Sequence, residues 1–533
     1  MSKVFNISAD CKPGLHYMVD ISQRLKMIKG YVDRGEYFTI NRARQYGKTT
    51  TLRALESFLQ EKYLVVNLDF QKLGEAKFKD ENTFSLAFAR AFLRAIRARK
   101  TESFKSDESS FFALIEAVNN HDKNFELFEL FENLSDICSV SEKPVVLVID
   151  EVDSAANNQV FLDFLAQLRA YYIDRDLVPT FQSVILAGVY DVRNLKRKFR
   201  EDEEHKRNSP LNIAADFDID MSFSKTDIKG MLAEYERDYK TGMDMDEMAR
   251  RIHEYTSGYP FLVSRICQIL DEKLSRTQEF PEKKDAWTTE GFLKAIRILL
   301  SEKSTLFETL VNKLSDYPEL REIIYAILFN GDKISFNHDN EIIDLAFMLG
   351  FIKDVNGTIA IANRIFEMRL YNLFLSEEEI NSRIFNVGAR DKNQFIRNGM
   401  LDMQLVLEKF MVCWEDLYHS ADEKFIEDNG RKFFLLYLKP IINGVGNYYI
   451  ESHTRDNGRT DIIVDYLGQQ FIIEIKIWRG EEYNKRGEKQ LADYLDAYHV
   501  QKGYMLSFNF NKNKVVGTKE IQCSDKIIFE AVV

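Results

Sequence analysis

Two hydrophobic periodicities alternate along the first third of the chain. Short apolar runs rich in β-branched residues are separated by longer stretches in which apolar residues recur every three or four positions. The first pattern is typical of buried strands and the second of amphipathic helices. The predicted strands cover residues 36–40, 63–70, 144–151 and 183–188. Their alternation with helical segments predicts an α/β fold with a parallel sheet.

The middle of the chain has a mostly helical pattern from Phe223 to about residue 300. Two predicted helices at 319–329 and 340–349 are followed by a hairpin that turns at Asn356-Gly357. This order, closed by an amphipathic stretch, predicts a winged helix. The second of the two helices is apolar with acids and has no basic residue. We therefore favour a structural or relay role for it over reading DNA.

A predicted hairpin near the C-terminus carries charges in otherwise apolar strands. Its turn is expected at residues 467–470, and its strands contain Asp461, Glu474 and Lys476. Alternation places Glu474 and Lys476 on one side, and Asp461 falls near them on the partner strand. Two converging carboxylates need a cation, and Mg²⁺ takes oxygen ligands. Lys476 would position water and stabilise charge on a phosphoryl oxygen, whereas the alternative is a structural salt bridge.

Length and charge limit the class of protein. The chain has 533 residues, which predicts three or four domains, and its formal net charge of -12 argues against a protein coated with basic charge. Its five cysteines are scattered, which predicts a reducing compartment without disulfides or a zinc site. No signal peptide and no bilayer-spanning run are visible. We expect a cytoplasmic protein with no membrane partner.

The tripeptide Gly47-Lys48-Thr49 lies where the first predicted strand passes into a helix. Backbone N–H groups and a helix N-terminus at such a junction bind phosphate. Lys48 would reach the β- and γ-phosphates of ATP, and the Thr49 hydroxyl would ligate Mg²⁺. Thr50 belongs to the same predicted nucleotide-binding set. The usual loop begins with glycine, but Arg42 stands at that position here.

A second half of the predicted nucleotide site follows the apolar run at 144–149. Asp150 would hold Mg²⁺ through water, and Glu151 would polarise the attacking water. The strand at 183–188 is followed by Arg193, a candidate sensor of the γ-phosphate whose alternative is a surface arginine. ATP and Mg²⁺ are therefore the predicted cofactors.

The segments RARQYGKTT, VVLVIDEVD, LAGVYDVRN, SPLNIAADF and TSGYPFLVSRICQ together resemble the AAA-like ATPases of bacteria and archaea, which are related to STAND signalling ATPases. The resemblance covers about the first 375 residues. It implies a helical lid containing Gly258-Tyr259-Pro260, with Pro260 near the adenine. The alternative for this element is a simple turn between helices.

The pattern D-x(12)-E-x-K, with Gly458-Arg459 before Thr460-Asp461, resembles the PD-(D/E)XK nuclease superfamily. The resemblance covers roughly 401–533 and implies a restriction-endonuclease-like α/β domain. It implies that Asp461 and Glu474 bind the metal, joined by Glu427 where family members often carry another acid. It also implies that Gln490 and Tyr494, four apart on a helix, contact DNA and the active site.

These expectations combine into five segments: an AAA-like domain at 1–220, a lid at 221–300, a winged helix at 301–375, a linker at 376–400 and a nuclease domain at 401–533. We expect an ATP-operated switch that gates a Mg²⁺-dependent nuclease acting on DNA, in defence against foreign DNA by analogy. One alternative is an interaction or scaffold module that binds nucleic acid without cutting. Another is a DNA motor, which would need a homo-oligomer.

Overall fold

The computed structural model describes residues 3–98, 109–155, 158–189, 213–330, 334–379, 382–417, 427–443, 445–449, 462–478, 480–497, 500–511 and 514–533. The strands are β1 (Phe38–Asn41), β2 (Leu64–Asp69), β3 (Val145–Asp150), β4 (Ser183–Gly188), β5 (Ile352–Val355), β6 (Thr358–Ile361), β7 (Ile396–Arg397), β8 (Met400–Leu401), β9 (Gly446–Tyr449), β10 (Ile462–Tyr466), β11 (Gln469–Ile477), β12 (Lys502–Phe508), β13 (Gly517–Cys523) and β14 (Lys526–Val532).

The helices are α1 (Ser22–Asp33), α2 (Lys48–Leu59), α3 (Glu81–Arg97), α4 (Ser109–Asn120), α5 (Leu127–Val140), α6 (Gln159–Ile173), α7 (Lys225–Tyr239), α8 (Met245–Thr256), α9 (Pro260–Gln268), α10 (Lys283–Ala286), α11 (Thr289–Ser301), α12 (Thr305–Asp316), α13 (Pro318–Tyr325), α14 (Glu341–Met348), α15 (Arg364–Glu379), α16 (Arg383–Asp391), α17 (Met403–Leu417), α18 (Glu427–Ile442) and α19 (Glu481–Ala497). In this described part no helix is long and apolar enough to cross a bilayer.

The chain divides into two compact units. The first contains the residues up to Tyr235, together with Gly258–Ser264 and Asp344–Gly350. The second contains Glu236–Ser257, Arg265–Ile343 and Phe351–Val533.

A four-stranded parallel sheet forms the centre of the first unit, in the order β1-β4-β3-β2. The predicted parallel sheet is therefore confirmed. Alternate side chains of β3 enter two cores, because successive residues of a strand face opposite ways. Leu147 and Ile149 pack among the aromatic residues of α3 and α6, whereas Val146 and Val148 pack with α1 and α2. Burial on both faces explains why β3 reads as a continuous apolar run.

The second unit contains two sheets that matter for the site. The short hairpin of β5 and β6 turns at Asn356-Gly357, as predicted, and Gly357 has a φ of 79° that favours glycine. A six-stranded mixed sheet with the order β13-β14-β12-β11-β10-β9 forms the C-terminal part. The β10–β11 hairpin pairs antiparallel through a two-residue turn, Leu467-Gly468, and β11, β12 and β14 run parallel.

Residues 376–400, expected to be a linker, contain the end of α15, all of α16 and the start of a small β-hairpin. Gly388 of α16 lies so close to α18 that an added Cβ would meet the Tyr437 carbonyl oxygen at 2.3 Å. This stretch is thus a packed part of the second unit.

Candidate functional site

The phosphate loop joins β1 to α2 in the first unit. Gly47 has a φ of 79°, a left-handed conformation that glycine adopts without strain, and α2 begins at Lys48. The Lys48 ammonium donates to the carbonyl oxygens of Arg42 at 2.8 Å and Ala43 at 3.1 Å. Only 6% of Lys48 is exposed, and burial lowers its pKa, although the acids after β3 oppose this shift. A buried ammonium at a helix N-terminus is suited to bind anionic phosphates.

Thr49 and Asp150 meet across the sheet, although 101 positions separate them. The Thr49 hydroxyl donates to Asp150 Oδ2 at 2.8 Å. Burial raises the pKa of Asp150, while Thr49 and the backbone N–H of Glu151 oppose this by donating to it. A hydroxyl and a carboxylate in contact are the oxygen ligands that Mg²⁺ takes, so these residues fit the ion.

Glu151 has an unusual backbone. Its φ of 57° is left-handed, which costs a non-glycine residue on the order of 1 kcal/mol. Its side chain is half-buried, and burial raises the pKa of its carboxyl. Strained backbones of this kind cluster at functional sites. A raised pKa suits a residue that polarises water, and this role of Glu151 stays a prediction.

Asp153 is a residue of this site that the sequence reasoning missed. Its Oδ2 accepts from the backbone N–H of Val189 at 2.6 Å, just after β4. A Cβ on Gly188 would lie 2.8 Å from Asp153 Oδ1, so a larger residue there would displace the Asp153 side chain. The sequence did contain a signal for this residue, because Asp153 is the third acid in the segment VVLVIDEVD. Asp153 thus holds the end of β4 in place. Arg193, the predicted γ-phosphate sensor, follows β4 in the sequence and lies outside the described residues.

Arg42, which replaces the first glycine of the usual loop, points away from the phosphate-binding backbone. Its guanidinium donates to the Ile219 carbonyl at 2.8 Å and lies 5.5 Å from the centre of the Phe217 ring. Its own N–H donates to the Gly188 carbonyl at 3.1 Å. Arg42 therefore ties β1 to the chain segment beside it and leaves the loop backbone to face a ligand.

Two further segments of the first unit contact the phosphate loop. The Tyr259 hydroxyl donates to the Arg44 carbonyl, and its ring meets Tyr46 edge-on at 4.7 Å. Pro260 follows, buried at the start of α9. Gly350, after α14, is so close to the loop that an added Cβ would lie 2.8 Å from the Ala43 Cβ. The chain just after α14, the second helix of the predicted winged helix, thus packs on the phosphate loop. This contact suits the relay role expected for that helix.

Thr50 faces the N-terminal segment of the chain. Its hydroxyl accepts from the backbone N–H of Cys11 at 3.1 Å. Arg53, one turn further along α2, pairs with Asp10 at 2.6 Å. The structure thus gives Thr50 a partner in the N-terminal segment, and its contact with nucleotide stays a prediction.

The second candidate centre lies on β11. Glu474 is fully buried, and the Lys476 ammonium lies 2.7 Å from its Oε1. Their positions two apart place both side chains on one face of the strand. Gly487 of α19 lies above them, because a Cβ there would be 3.3 Å from Lys476 Cε. Glycine at 487 therefore leaves room for the lysine stem beneath the helix.

Of the other residues predicted for this centre, the structure describes the side chain of Gln490 alone. Gln490 lies on α19 and is partly exposed. Asp461 and the side chains of Glu427 and Tyr494 lie outside the described residues. No group of three or more metal-ligating side chains occurs in the described part of the chain. The Glu474 carboxylate is a ligand type that Mg²⁺ takes, and the complete metal set stays a prediction.

A fully buried glutamate, Glu530 of β14, was not anticipated from the sequence. Its carboxylate accepts from the Ser507 hydroxyl at 2.6 Å and from the Asn484 amide at 3.0 Å, and it pairs with Lys519 at 2.8 Å. Ser507 is directly opposite Lys476 in the β11–β12 register. Since Asn484 belongs to α19, Glu530 fastens this helix to the sheet beside the Glu474–Lys476 pair. Because Glu530 and these partners come from four different elements, no local sequence pattern predicted the role of Glu530.

A model of the AAA-like domain family matches residues 16–374. The chain belongs to the AAA-like domain family. No curated protein matches it. The matched region ends before the six-stranded sheet begins, so membership of this AAA-like family covers the nucleotide site and not the Glu474–Lys476 centre.

Several solved structures are similar to this AAA-like protein. A Walker-type ATPase of Pyrococcus abyssi is 15% identical with a TM-score of 0.46, and the match covers 69% of this chain and 99% of that one. The Aeropyrum pernix ORC1 protein, solved in complex with DNA, is 13% identical with a TM-score of 0.30, covering 68% and 94%. The ADP form of the Aeropyrum pernix ORC2 protein is 12% identical with a TM-score of 0.36, covering 70% and 96%.

Replacing Glu530 with alanine is expected to destabilise the C-terminal sheet by about 3 kcal/mol, because it leaves Asn484, Ser507 and Lys519 without their acceptor. Urea unfolding followed by tryptophan fluorescence measures this, since Trp414 and Trp478 report on that part of the chain. The matched control is Glu520→Ala, which removes an exposed partner of Lys502 and should change stability by less than about 0.5 kcal/mol. Equal effects of the two substitutions would contradict the role given to Glu530.

Proposed function

We propose that this AAA-like protein is an ATP-operated switch that gates a Mg²⁺-dependent nuclease acting on DNA. The observation that carries the proposal is the buried Glu474–Lys476 pair on the same chain as a phosphate loop whose Thr49 contacts Asp150. The five predicted segments, from the AAA-like domain at 1–220 to the nuclease domain at 401–533, belong to this proposal. So does a role in defence against foreign DNA.

In the nucleotide site each residue has a distinct task. The loop N–H groups and Lys48 bind the phosphates, and Thr49 with Asp150 would hold Mg²⁺, which neutralises charge on the phosphate oxygens. Glu151 accepts a hydrogen bond from the attacking water and orients it. Pro260 is proposed to contact the base, and Arg193 to sense the γ-phosphate.

In the nuclease centre, water adds to the phosphorus of a phosphodiester, and the bond to the leaving sugar oxygen breaks. Glu474 with Asp461 and Glu427 would hold Mg²⁺, which supplies charge for the developing oxyanion. The Lys476 ammonium, held by Glu474, donates hydrogen bonds to the attacking water or to a phosphoryl oxygen.

The substrate is proposed from the charge of α19. Lys485, Arg486 and Lys489 are exposed along this helix, despite the acidic chain as a whole. Exposed cations on a helix beside the centre are suited to neutralise backbone phosphates. Gln490 and Tyr494 of the same helix are proposed to contact the DNA.

Changing Glu151 to glutamine is expected to slow ATP hydrolysis by about 100-fold or more while ATP binding is kept, since glutamine retains the shape but not the basicity of the carboxylate. Phosphate release measures the first effect, and titration with a fluorescent nucleotide measures the second. The matched control is Glu142→Gln, an exposed residue at the other end of the same strand region. Undiminished hydrolysis by Glu151→Gln would remove Glu151 from the mechanism.

The proposed function is tested by incubating the full chain with plasmid, linear duplex, single-stranded DNA and RNA. Each substrate is offered in Mg²⁺ or EDTA, with and without ATP. Cleavage that needs Mg²⁺ and changes with ATP supports the proposal. Absence of cleavage on every substrate would contradict it.

A second candidate function is an interaction module that binds nucleic acid without cutting it. It is favoured by the complete burial of Glu474 against Lys476, which is also what a structural salt bridge would show. Binding of labelled DNA with equal affinity in Mg²⁺ and EDTA, and without cleavage, would favour this module.

A further inference from the structure

A third carboxylate of the β10–β11 hairpin, Asp465, is buried and lines a small cavity together with Arg297 of α11. Asp465 is 4% exposed, and neither of its oxygens meets hydrogen-bond geometry with a described residue. Burial raises the pKa of its carboxyl to about 6, and Gln470 on the opposite strand only partly offsets this. Positive charges that also favour its ionised form belong to Arg251 of α8, Arg364 of α15 and Arg297 of α11.

The cavity beside Asp465 shows how this carboxylate approaches Arg297. It has a volume of about 10 Å³, enough for one water molecule, and Arg297, Asn447 and Glu290 line it together with Asp465. The Arg297 guanidinium donates to the Val445 carbonyl just before β9, and its Nε has no described hydrogen-bond partner. Arg297 therefore already reaches the edge of the C-terminal sheet and lies across a small gap from Asp465.

Asp465 lies on the same face of the hairpin as the candidate nuclease pair. The register places it opposite Gln470, and Gln470 and Glu474 are four apart on β11. Residues an even number apart on a strand share a face, and four residues span roughly 13 Å. A change at Asp465 can thus reach Glu474 along one rigid strand.

Arg251 and Arg364 belong to elements that adjoin, along the chain, the segments that contact the phosphate loop. Tyr259, which bonds to Arg44, follows α8 and its Arg251 by a few residues. Gly350, which packs on Ala43, leads through the β5–β6 hairpin to Arg364 at the start of α15. The other end of α15 meets the C-terminal part through polar contacts, Glu378 with Lys432 at 2.8 Å and Asn372 with Tyr448 at 3.1 Å. Helix α15 therefore joins the segment that follows Gly350 to the C-terminal part of the second unit.

We propose that Asp465, together with Arg297 across the cavity and the positive charges of Arg251 and Arg364, is the electrostatic link through which nucleotide at the phosphate loop regulates the C-terminal hairpin. The inference rests on the proposed function, because it assigns the regulation of the proposed nuclease centre. Movement of α8, α11 or α15 changes the distance between a guanidinium and a buried carboxylate, and in a poorly solvated site such a change alters the interaction strongly. A buried carboxylate otherwise costs a fold stability, which agrees with a role other than stability.

The test is hydrogen–deuterium exchange of hairpin residues 462–477 in the full chain, with and without a non-hydrolysable ATP analogue and Mg²⁺. The wild-type protein is expected to show a nucleotide-dependent change of roughly fivefold or more in exchange rate. Asp465→Asn and Arg297→Gln are each expected to reduce that change to less than about twofold, and the double variant should add nothing further. Asparagine is isosteric with aspartate and uncharged, so Asp465→Asn should fold at least as stably.

The matched control is Asp496→Asn, an exposed carboxylate of α19 that pairs with Lys526 of β14 at 2.8 Å. It should leave the nucleotide-dependent change intact. A wild-type hairpin that does not respond to nucleotide, or variants that respond like wild type, would overturn the link. Exchange is read without DNA, so a nucleotide response that Asp465→Asn abolishes, in a protein that cuts nothing, would uphold the link and refute the nuclease. If DNA is cleaved and the cleavage still responds to ATP in Asp465→Asn, the nuclease is upheld and the link is refuted.

Discussion

Replacing Glu474 with glutamine is expected to reduce Mg²⁺-dependent cleavage of DNA by roughly 1,000-fold or more. The substitution removes a carboxylate charge that would hold the metal and leaves the Lys476 ammonium without its ion-pair partner. The shape of the buried side chain is kept, so the sheet should still form. Cleavage is followed as the loss of supercoiled or linear substrate at several Mg²⁺ concentrations.

Two companion variants sharpen this expectation. Lys476→Ala should lower cleavage to a similar extent, since it removes the proposed donor to the phosphoryl oxygen. Glu520→Gln changes an exposed carboxylate of β13 and should leave the rate within a factor of about two. DNA binding that persists in Glu474→Gln while cleavage is lost would separate chemistry from recognition. Cleavage at the wild-type rate in Glu474→Gln would refute this centre.

Replacing Lys48 with alanine is expected to weaken ATP binding by about 100-fold or more. The ammonium is the buried cation of the phosphate loop, and its loss removes a charge-assisted contact to the phosphates. It also leaves the carbonyls of Arg42 and Ala43 without their donor. Binding is measured by titration with a fluorescent ATP analogue, and hydrolysis by phosphate release.

The control for this site is Lys62→Ala, an exposed lysine just beyond α2 that pairs with Asp33 at 3.2 Å. It should bind ATP as tightly as the wild-type protein. Under the proposed function, Lys48→Ala also makes cleavage indifferent to ATP. Unchanged ATP affinity in Lys48→Ala would exclude the loop as the nucleotide site. If ATP binding is lost but cleavage still responds to ATP, coupling between this site and the nuclease centre is excluded.

These outcomes also separate the alternative functions. An interaction module would lose its response to ATP in Lys48→Ala but would show no chemistry for Glu474→Gln to remove. Retained DNA binding in both variants would then identify the C-terminal sheet as a recognition surface.

Local pattern was enough to predict much of the first unit and the candidate residues. The β3 strand reads as a continuous apolar run because both of its faces are buried, and the acids that follow mark its carboxyl end. The phosphate loop is contiguous in sequence, so Gly47, Lys48 and Thr49 were visible without a structure. The hairpin of Glu474 and Lys476 was likewise readable, because alternation along a strand is a local property.

The tertiary structure alone decided which distant groups meet. Arg42 was recognised as a departure from the usual loop, but only the fold shows that its guanidinium bonds to the Ile219 carbonyl and so leaves the loop free. Glu530 was invisible because its partners come from α19, β12 and β13. Asp465 looks like an ordinary strand residue until its burial near Arg297 is seen. Sequence determined the elements and the local chemistry, since periodicity and motifs act over a few residues, whereas contacts between residues hundreds of positions apart depend on how those elements pack.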